Sequence, residues 1–291
     1  MVIFNRNFLF LDEISLNNTH NKVFENIQVS KEDIASIDDF FTLQSAWVLM
    51  TDRRVRYYGN EAFEDSSSVD EWALEVEGVV TLIWQGKTNT IRYIKGEKYT
   101  AELLQFWVLH TFFPLVLELA KLSHILHVSA VEINEKPILF SAFSGGGKST
   151  LLNYFLKQGH RIYGDDTVAI EEIDGSYKVV ASYPFHRPYR KAEVLGYPID
   201  NFATEVKPLY RVYRLDKSSE TSKIKIEELH GVEKFETLYQ SQFVTFENLT
   251  KSRYNFATKM AQQVQVFTIS VPWDMERLEE VYQALLIHNE I

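Results

Sequence analysis

Apolar residues along the chain change their period near residue 100, from the alternation expected of strands to the three-and-four spacing expected of helices. Before that point, short alternating runs are separated by turn residues. The clearest pair, Val79-Val-Thr-Leu-Ile-Trp84 and Thr90-Ile-Arg-Tyr-Ile94, flanks Gln85-Gly-Lys-Thr-Asn89 and predicts a hairpin. Small polar residues in Glu64-Asp-Ser-Ser-Ser-Val-Asp70 predict a loop. From Thr100, Leu103, Leu104, Trp107, Val108 and Phe112 fall on one helical face, until Pro114 removes an amide donor and disturbs the turn. The boundary divides a strand-rich region, 1–98, from a second region, 99–291.

Within the second region, Ile125 to Ile133 reads as a strand, Asn134-Glu-Lys-Pro137 as a turn and Ile138-Leu-Phe-Ser141 as a second strand. Ala142-Phe-Ser-Gly-Gly-Gly-Lys-Ser149 follows directly. The next run, to Lys157, has leucine and aromatic residues at helical spacing, with Gly159 as its stop. Thr167 to Glu172 and Tyr177 to Ser182 flank Asp174-Gly175, a strong hairpin signal. Tyr210 to Leu215 and Val264 to Val271 read as strands, and Asp274 to His288 as a helix capped by Asp274. The fold class expected is mixed α/β.

A chain of 291 residues, 45% hydrophobic and 24% charged, is long enough to bury one large core or two modest ones. Its net charge of −10 argues against charge-driven binding to nucleic acid or to an anionic membrane surface. Without cysteine it has no disulfide framework and no thiolate metal site. The first ten residues lack the pattern of a secretory signal, so a cytoplasmic location is expected. Leu103 to Leu126 is long enough to span a bilayer, but Glu118 and Lys121 would each cost about 2–3.5 kcal/mol at bilayer depth. A buried amphipathic helix is the expected alternative.

A strand entering a glycine loop that opens a helix is the setting of a phosphate-binding P-loop. Successive backbone N–H groups ring a phosphate there, and the helix N-terminus favours its charge. Ser144, Gly145, Gly146, Gly147, Lys148, Ser149 and Thr150 are the nucleotide-binding candidates, with Lys148 reaching the β- and γ-phosphates and Ser149 on Mg²⁺. Ala142 departs from the motif, which has glycine at that position. Asp165 and Asp166 follow 17 and 18 residues after Lys148, where one carboxylate can support Mg²⁺ and another can accept a proton. Alone, such a pair is more often a capped turn. His127 is a third candidate, although a lone histidine near an apolar strand is usually a satisfied core residue.

Leu126-His-Val-Ser-Ala-Val131, Phe143-Ser-Gly-Gly-Gly-Lys-Ser-Thr150 and Gln158-Gly-His-Arg-Ile-Tyr-Gly-Asp-Asp-Thr-Val168 together resemble the HPr kinase/phosphorylase superfamily, and within it the HPr-kinase-like proteins of peptide modification. Three spacings carry the resemblance: His127 stands 15 residues before Ala142, Gly159-His160-Arg161-Ile162 precedes the paired aspartates, and the aspartates follow the loop. It implies a P-loop kinase core of the HPr kinase and phosphoenolpyruvate carboxykinase type over 99–291, beside a strand-rich amino-terminal region. It implies Asp165 as the base for an acceptor hydroxyl, Asp166 as metal support, and His127 as a group that tunes Asp165 or touches the transferred phosphoryl. Asp165, Asp166, His127 and Lys148 form the implied catalytic set, with Ser149 and Asp166 on the metal.

The segment by which the bacterial HPr enzymes contribute a metal-binding glutamate is not recognisable, and Glu193 in Tyr189-Arg-Lys-Ala-Glu-Val-Leu-Gly196 is its candidate substitute. Arginines for transition-state charge are available in His186-Arg-Pro-Tyr-Arg190 and Tyr210-Arg-Val-Tyr-Arg214. The leading expectation is an ATP- and Mg²⁺-dependent kinase acting on a serine-type hydroxyl of a precursor peptide or small molecule. The resemblance also allows a homo-oligomer. An NTPase switch, and a nucleotide-binding regulatory or peptide-recognition module without phosphotransfer, are the alternatives. The aromatic residues Trp47, Tyr57, Tyr58, Trp72 and Trp84 are candidates for acceptor recognition.

Overall fold

The computed structural model describes all residues except 13–23, 34–36, 38–39, 51, 62, 64–68, 144, 189–190, 245, 247–248 and 291. The chain is mixed α/β and divides into two compact units, Met1–Leu122 with Arg190–Leu195, and Ser123–Tyr189 with Gly196–Ile291. The division thus falls near residue 122 and not at 98. The helical stretch after Thr100 belongs with the first unit because its aromatic residues pack on that unit's sheet.

In the first unit, nine strands among the described residues form one sheet. The expected hairpin is there: Val80–Gln85 pairs antiparallel with Thr90–Lys95, and Asn89 in the left-handed region closes the turn. Phe112 packs on Trp72 at 4.7 Å and Phe113 edge-on against Phe8 at 4.7 Å, which fastens the helical stretch to the sheet. That stretch runs Ala101–Phe106, Trp107–Phe112, Phe113–Leu119, and its middle section is a π-helix, with the Phe113 N–H donating to the Val108 carbonyl five residues back. Pro114 therefore does not end the helix; the wider turn before it accommodates the missing donor. Ala101–Leu119 is long and apolar enough to cross a membrane, yet 83% of its most apolar window is buried inside the protein. Tyr57, Tyr58, Trp72 and Trp84 are buried too, which makes them core residues and not an exposed recognition surface, and Trp47 lies half-buried under Arg56. Much of the predicted loop at 64–70 lies outside the described residues.

The second unit is built on a six-stranded sheet. Lys136–Ser141 sits inside it, antiparallel to Ser129–Ile133 and parallel to Arg211–Ser218, which is in turn parallel to Gln265–Pro272. Alternate side chains of these strands serve two cores. Phe140, Tyr213 and Ile269 face the helices Lys148–Lys157 and Leu278–His288, where Leu152, Phe155 and Leu285 meet them. Leu139, Val212 and Val266 face the other way, onto Phe256 and Met260 of the helix Thr250–Gln263 and onto a second, four-stranded sheet. Burial on both faces explains the continuous apolar run Ile138-Leu-Phe140.

Two hairpins carry the turns that sequence assigns them. Asp174 and Gly175 both have positive φ, as the tight two-residue turn between Val168–Ile173 and Ser176–Val180 requires. The helix Lys148–Lys157 stops at Gly159, where the Gly159 N–H reaches the Leu156 carbonyl and the His160 N–H reaches Phe155. One run is divided where continuity was expected. Ile125 to Ile133 forms two strands, His124–Leu126 in the four-stranded sheet and Ser129–Ile133 in the six-stranded one, with His127 at the change of sheet.

A polar tie closes the far end of the second strand. Glu132 accepts from Arg161 at 2.7 Å, Lys207 at 2.9 Å and Tyr163 at 3.1 Å. Burial would raise its proton affinity, but Lys207, Arg161 and Tyr163 outweigh burial and hold it below the ordinary carboxylate range. Folding therefore favours the ionised form, and the stability gained is present above the unfolded pKa and lost as pH falls through the lower folded value. Glu132→Gln is expected to lower unfolding free energy at pH 7 by about 1–2 kcal/mol. Urea midpoints should show the gap closing as pH is taken below about 4.

Candidate functional site

Three strand ends meet at one edge of the six-stranded sheet. Ser129 pairs in register with Phe140 and Ala130 with Gly164, so the residues before Ser129, after Ser141 and after Gly164 emerge side by side. These are His127, the glycine loop and Asp165-Asp166. The parallel partner brings a fourth group, since Arg214 pairs in register with Ser141.

The loop has the backbone that its glycines permit. Gly145 and Gly147 adopt φ of 77° and 90°, and Gly147 caps the helix that begins at Lys148. Gly146 is needed for a different reason: a Cβ there would lie 2.7 Å from the Ala142 methyl and 2.9 Å from the Phe143 carbonyl oxygen. Ala142 is absent from the residues with positive φ, so its methyl strains nothing locally. Lys148 is buried, and its Nζ donates back across the loop to the Ala142 carbonyl at 2.8 Å. Ser149 is half-buried, Thr150 exposed, and Phe143 76% exposed. Ser144 lies outside the described residues.

A serine bridge links this loop to His127. The Ser241 hydroxyl donates to the Thr237 carbonyl at 2.6 Å, which leaves its lone pairs to accept from Ser141 Oγ, also at 2.6 Å. The Ser241 carbonyl accepts the His127 N–H at 2.6 Å. His127 Nδ1 then stands 3.4 Å from Asp166 Oδ1, while Arg187 Nη1 donates to Asp166 Oδ2 at 2.8 Å. His127 remains partly exposed, and Asp166 and Arg187 are buried.

Asp165 is held differently. It is 1% exposed, and its carboxylate accepts from His186 Nδ1 and from the Arg187 N–H, both at 2.7 Å, and from Ser129 Oγ at 3.1 Å. The histidine beside Asp165 is thus His186, whereas His127 faces Asp166. Of the other candidates, Arg211 bonds the His288 carbonyl at 2.6 Å, and Arg214 pairs with Asp216. Arg190 lies outside the described residues. Glu193 belongs to the first unit, where Arg53 and Trp107 donate to its carboxylate. His160 and Arg161 are tied to Tyr282 and Glu132.

Sequence reasoning did not find Ser241, and placed Ser129 only within the Leu126–Val131 segment and His186 and Arg187 only within an arginine-bearing run. No local spacing marks them, because each reaches the site through strand pairing or a distant helix end. Asp216 accepts from Thr268 at 2.6 Å as well as from Arg214. Among the described residues, no group of three or more His, Cys, Asp or Glu could hold a metal alone. A carboxylate and a hydroxyl, as at Asp166 and Ser149, are oxygen donors of the kind that Mg²⁺ takes.

No protein-family model matches the chain, and no curated protein matches it by sequence. Among solved structures it is similar to the Hpr(Ser) kinase/phosphatase from Coxiella burnetii over 57% of this chain and 95% of that one, at 12% identity and a TM-score of 0.34. A likeness that distant carries no argument about this site.

The turn holding both aspartates depends on Gly164. A Cβ at Gly164 would stand 2.3 Å from the Thr167 carbonyl oxygen and 2.5 Å from Ser182 Oγ, both fixed in the core. Gly164→Ala is expected to cost about 2–3 kcal/mol by overpacking, measured as a lowered urea midpoint with an unchanged slope.

Proposed function

We propose that the protein is a phosphotransferase that moves the γ-phosphoryl group of ATP to a serine-type hydroxyl, on a peptide or a small molecule. The observation that carries this reading is the serine bridge, which links the start of the glycine loop to the His127–Asp166 pair through Ser141 and Ser241. The three motif spacings shared with the HPr kinase/phosphorylase superfamily support it independently. When bound, Mg²⁺–ATP supplies the transferable group and its charge neutralisation.

The protein's own residues have distinct parts in this reading. Backbone N–H groups of the loop and the start of the helix would hold phosphate oxygens, and Lys148 would give up its Ala142 carbonyl to reach a phosphate. Ser149 and Asp166 would hold the metal. The proton of the acceptor hydroxyl passes to the His127–Asp166 pair, whose histidine is the partly exposed member. Arg187 steadies Asp166, and Asp165 holds the His186-Arg187 turn that presents that arginine. Asp165 is therefore a positioning residue here, in place of the base that the resemblance implies.

Incubation with γ-labelled ATP, Mg²⁺ and either free serine or serine-bearing peptides tests the proposal. Label should appear on the acceptor, and His127→Gln and Asp166→Asn should each slow transfer by roughly 10²–10⁴-fold while nucleotide still binds. Folding of both variants is checked by their unfolding midpoints. Phosphate release that no acceptor stimulates would instead favour an NTPase switch, and binding without turnover a regulatory module.

A further inference from the structure

Beside the loop, on the helix side, lies a pocket of about 160 Å³ within the same unit. That is well below the roughly 300–1,000 Å³ that encloses a whole drug-sized ligand, so it suits a flat fragment of one. Gly147 and Thr150 form part of its wall, and aliphatic side chains such as Leu215 and Val271 form more. Trp273 completes it. A Cβ on Gly147 would touch Trp273 Cζ3 at 3.6 Å, which puts the indole against the last residue of the loop. Trp273 is 43% exposed, and Lys217 Nζ lies 4.0 Å from the indole centroid, which places positive charge over one face of the ring.

We infer that this pocket takes the purine base of the nucleotide, stacked on Trp273, an assignment that rests on the loop being a phosphate site. Three observations converge on it. The pocket begins at Gly147 and Thr150, so a base attached to loop-bound phosphates has a short path into it. Trp273 offers a large, partly exposed ring, on which any purine stacks whatever its edge carries. The carboxylate at the rim, Asp274, already accepts the Glu276 N–H at 2.9 Å and serves the following turn. Recognition by stacking and apolar contact, with little reading of the base edge, predicts that adenine and guanine nucleotides bind alike.

The experiment is calorimetric titration of the full chain, in Mg²⁺, with ATP, GTP and inorganic tripolyphosphate. Trp273→Ala should weaken ATP and GTP each by roughly 10- to 100-fold, the range expected for one lost stacking contact. Tripolyphosphate affinity should be unchanged, and Trp273→Phe, which keeps a ring, should remain near the wild type. An unchanged unfolding midpoint excludes misfolding as the cause. Wild-type ATP binding that Trp273→Ala leaves intact overturns the base assignment and leaves the phosphate loop standing. A wild-type preference for one purine above about 100-fold overturns recognition by stacking. Failure of the wild type to bind either ATP or tripolyphosphate overturns the loop reading and this one together.

Discussion

Burial of the strand Lys136–Ser141 on both faces and pairing along both edges is the constraint on which the site depends. A strand so enclosed cannot slide: a shift of one residue would exchange Phe140 for Leu139 between two separate cores. Its last residue is therefore fixed in space, and so is the origin of the glycine loop. The same register fixes Ser129 opposite Phe140 and Gly164 opposite Ala130. The three candidate segments emerge at one edge because their strands are locked to one another.

Local structure was largely legible in the sequence. The hairpin at Asp174-Gly175, the helix after the loop, its stop at Gly159 and the strands near Arg211 and Gln265 all rest on short-range signals: turn residues that tolerate positive φ, and helical spacing of leucines. The break at His127 was not legible. Apolar residues continue on both sides of His127 from Ile125 to Ile133, and only the exchange of partner sheets, a long-range event, divides the run. Parallel pairing of Lys136–Ser141 with Arg211–Ser218 was equally hidden, since nothing local says which distant strand completes a sheet. The helix Gly231–Gln240 that delivers Ser241 to the loop went unread for the same reason.

The two aspartates show how environment separates neighbours that sequence cannot tell apart. Asp165 faces inward, where Ser129, His186 and a backbone N–H occupy its oxygens. Asp166 faces a buried arginine and a partly exposed histidine. A carboxylate enclosed by donors resists displacement and makes a good anchor, whereas one beside an accessible imidazole can communicate with a substrate. Ser129 also donates to the Asp165 carbonyl at 2.7 Å, so the turn is pinned through both its backbone and its side chain.

Ala142 and Gly146 extend the same reasoning to the loop itself. The motif's departure from glycine at Ala142 is harmless to the backbone angle, but its methyl occupies the space that a side chain at Gly146 would need. Glycine at 146 is thus a steric requirement created partly by alanine at 142, while glycines at 145 and 147 answer to φ. Two physical causes produce one run of three identical residues. The Ala142 carbonyl also accepts the Lys148 amine, so the unorthodox position supplies, through its backbone, the contact that steadies the loop's only lysine. A single methyl thus sets which neighbour in the loop must be small.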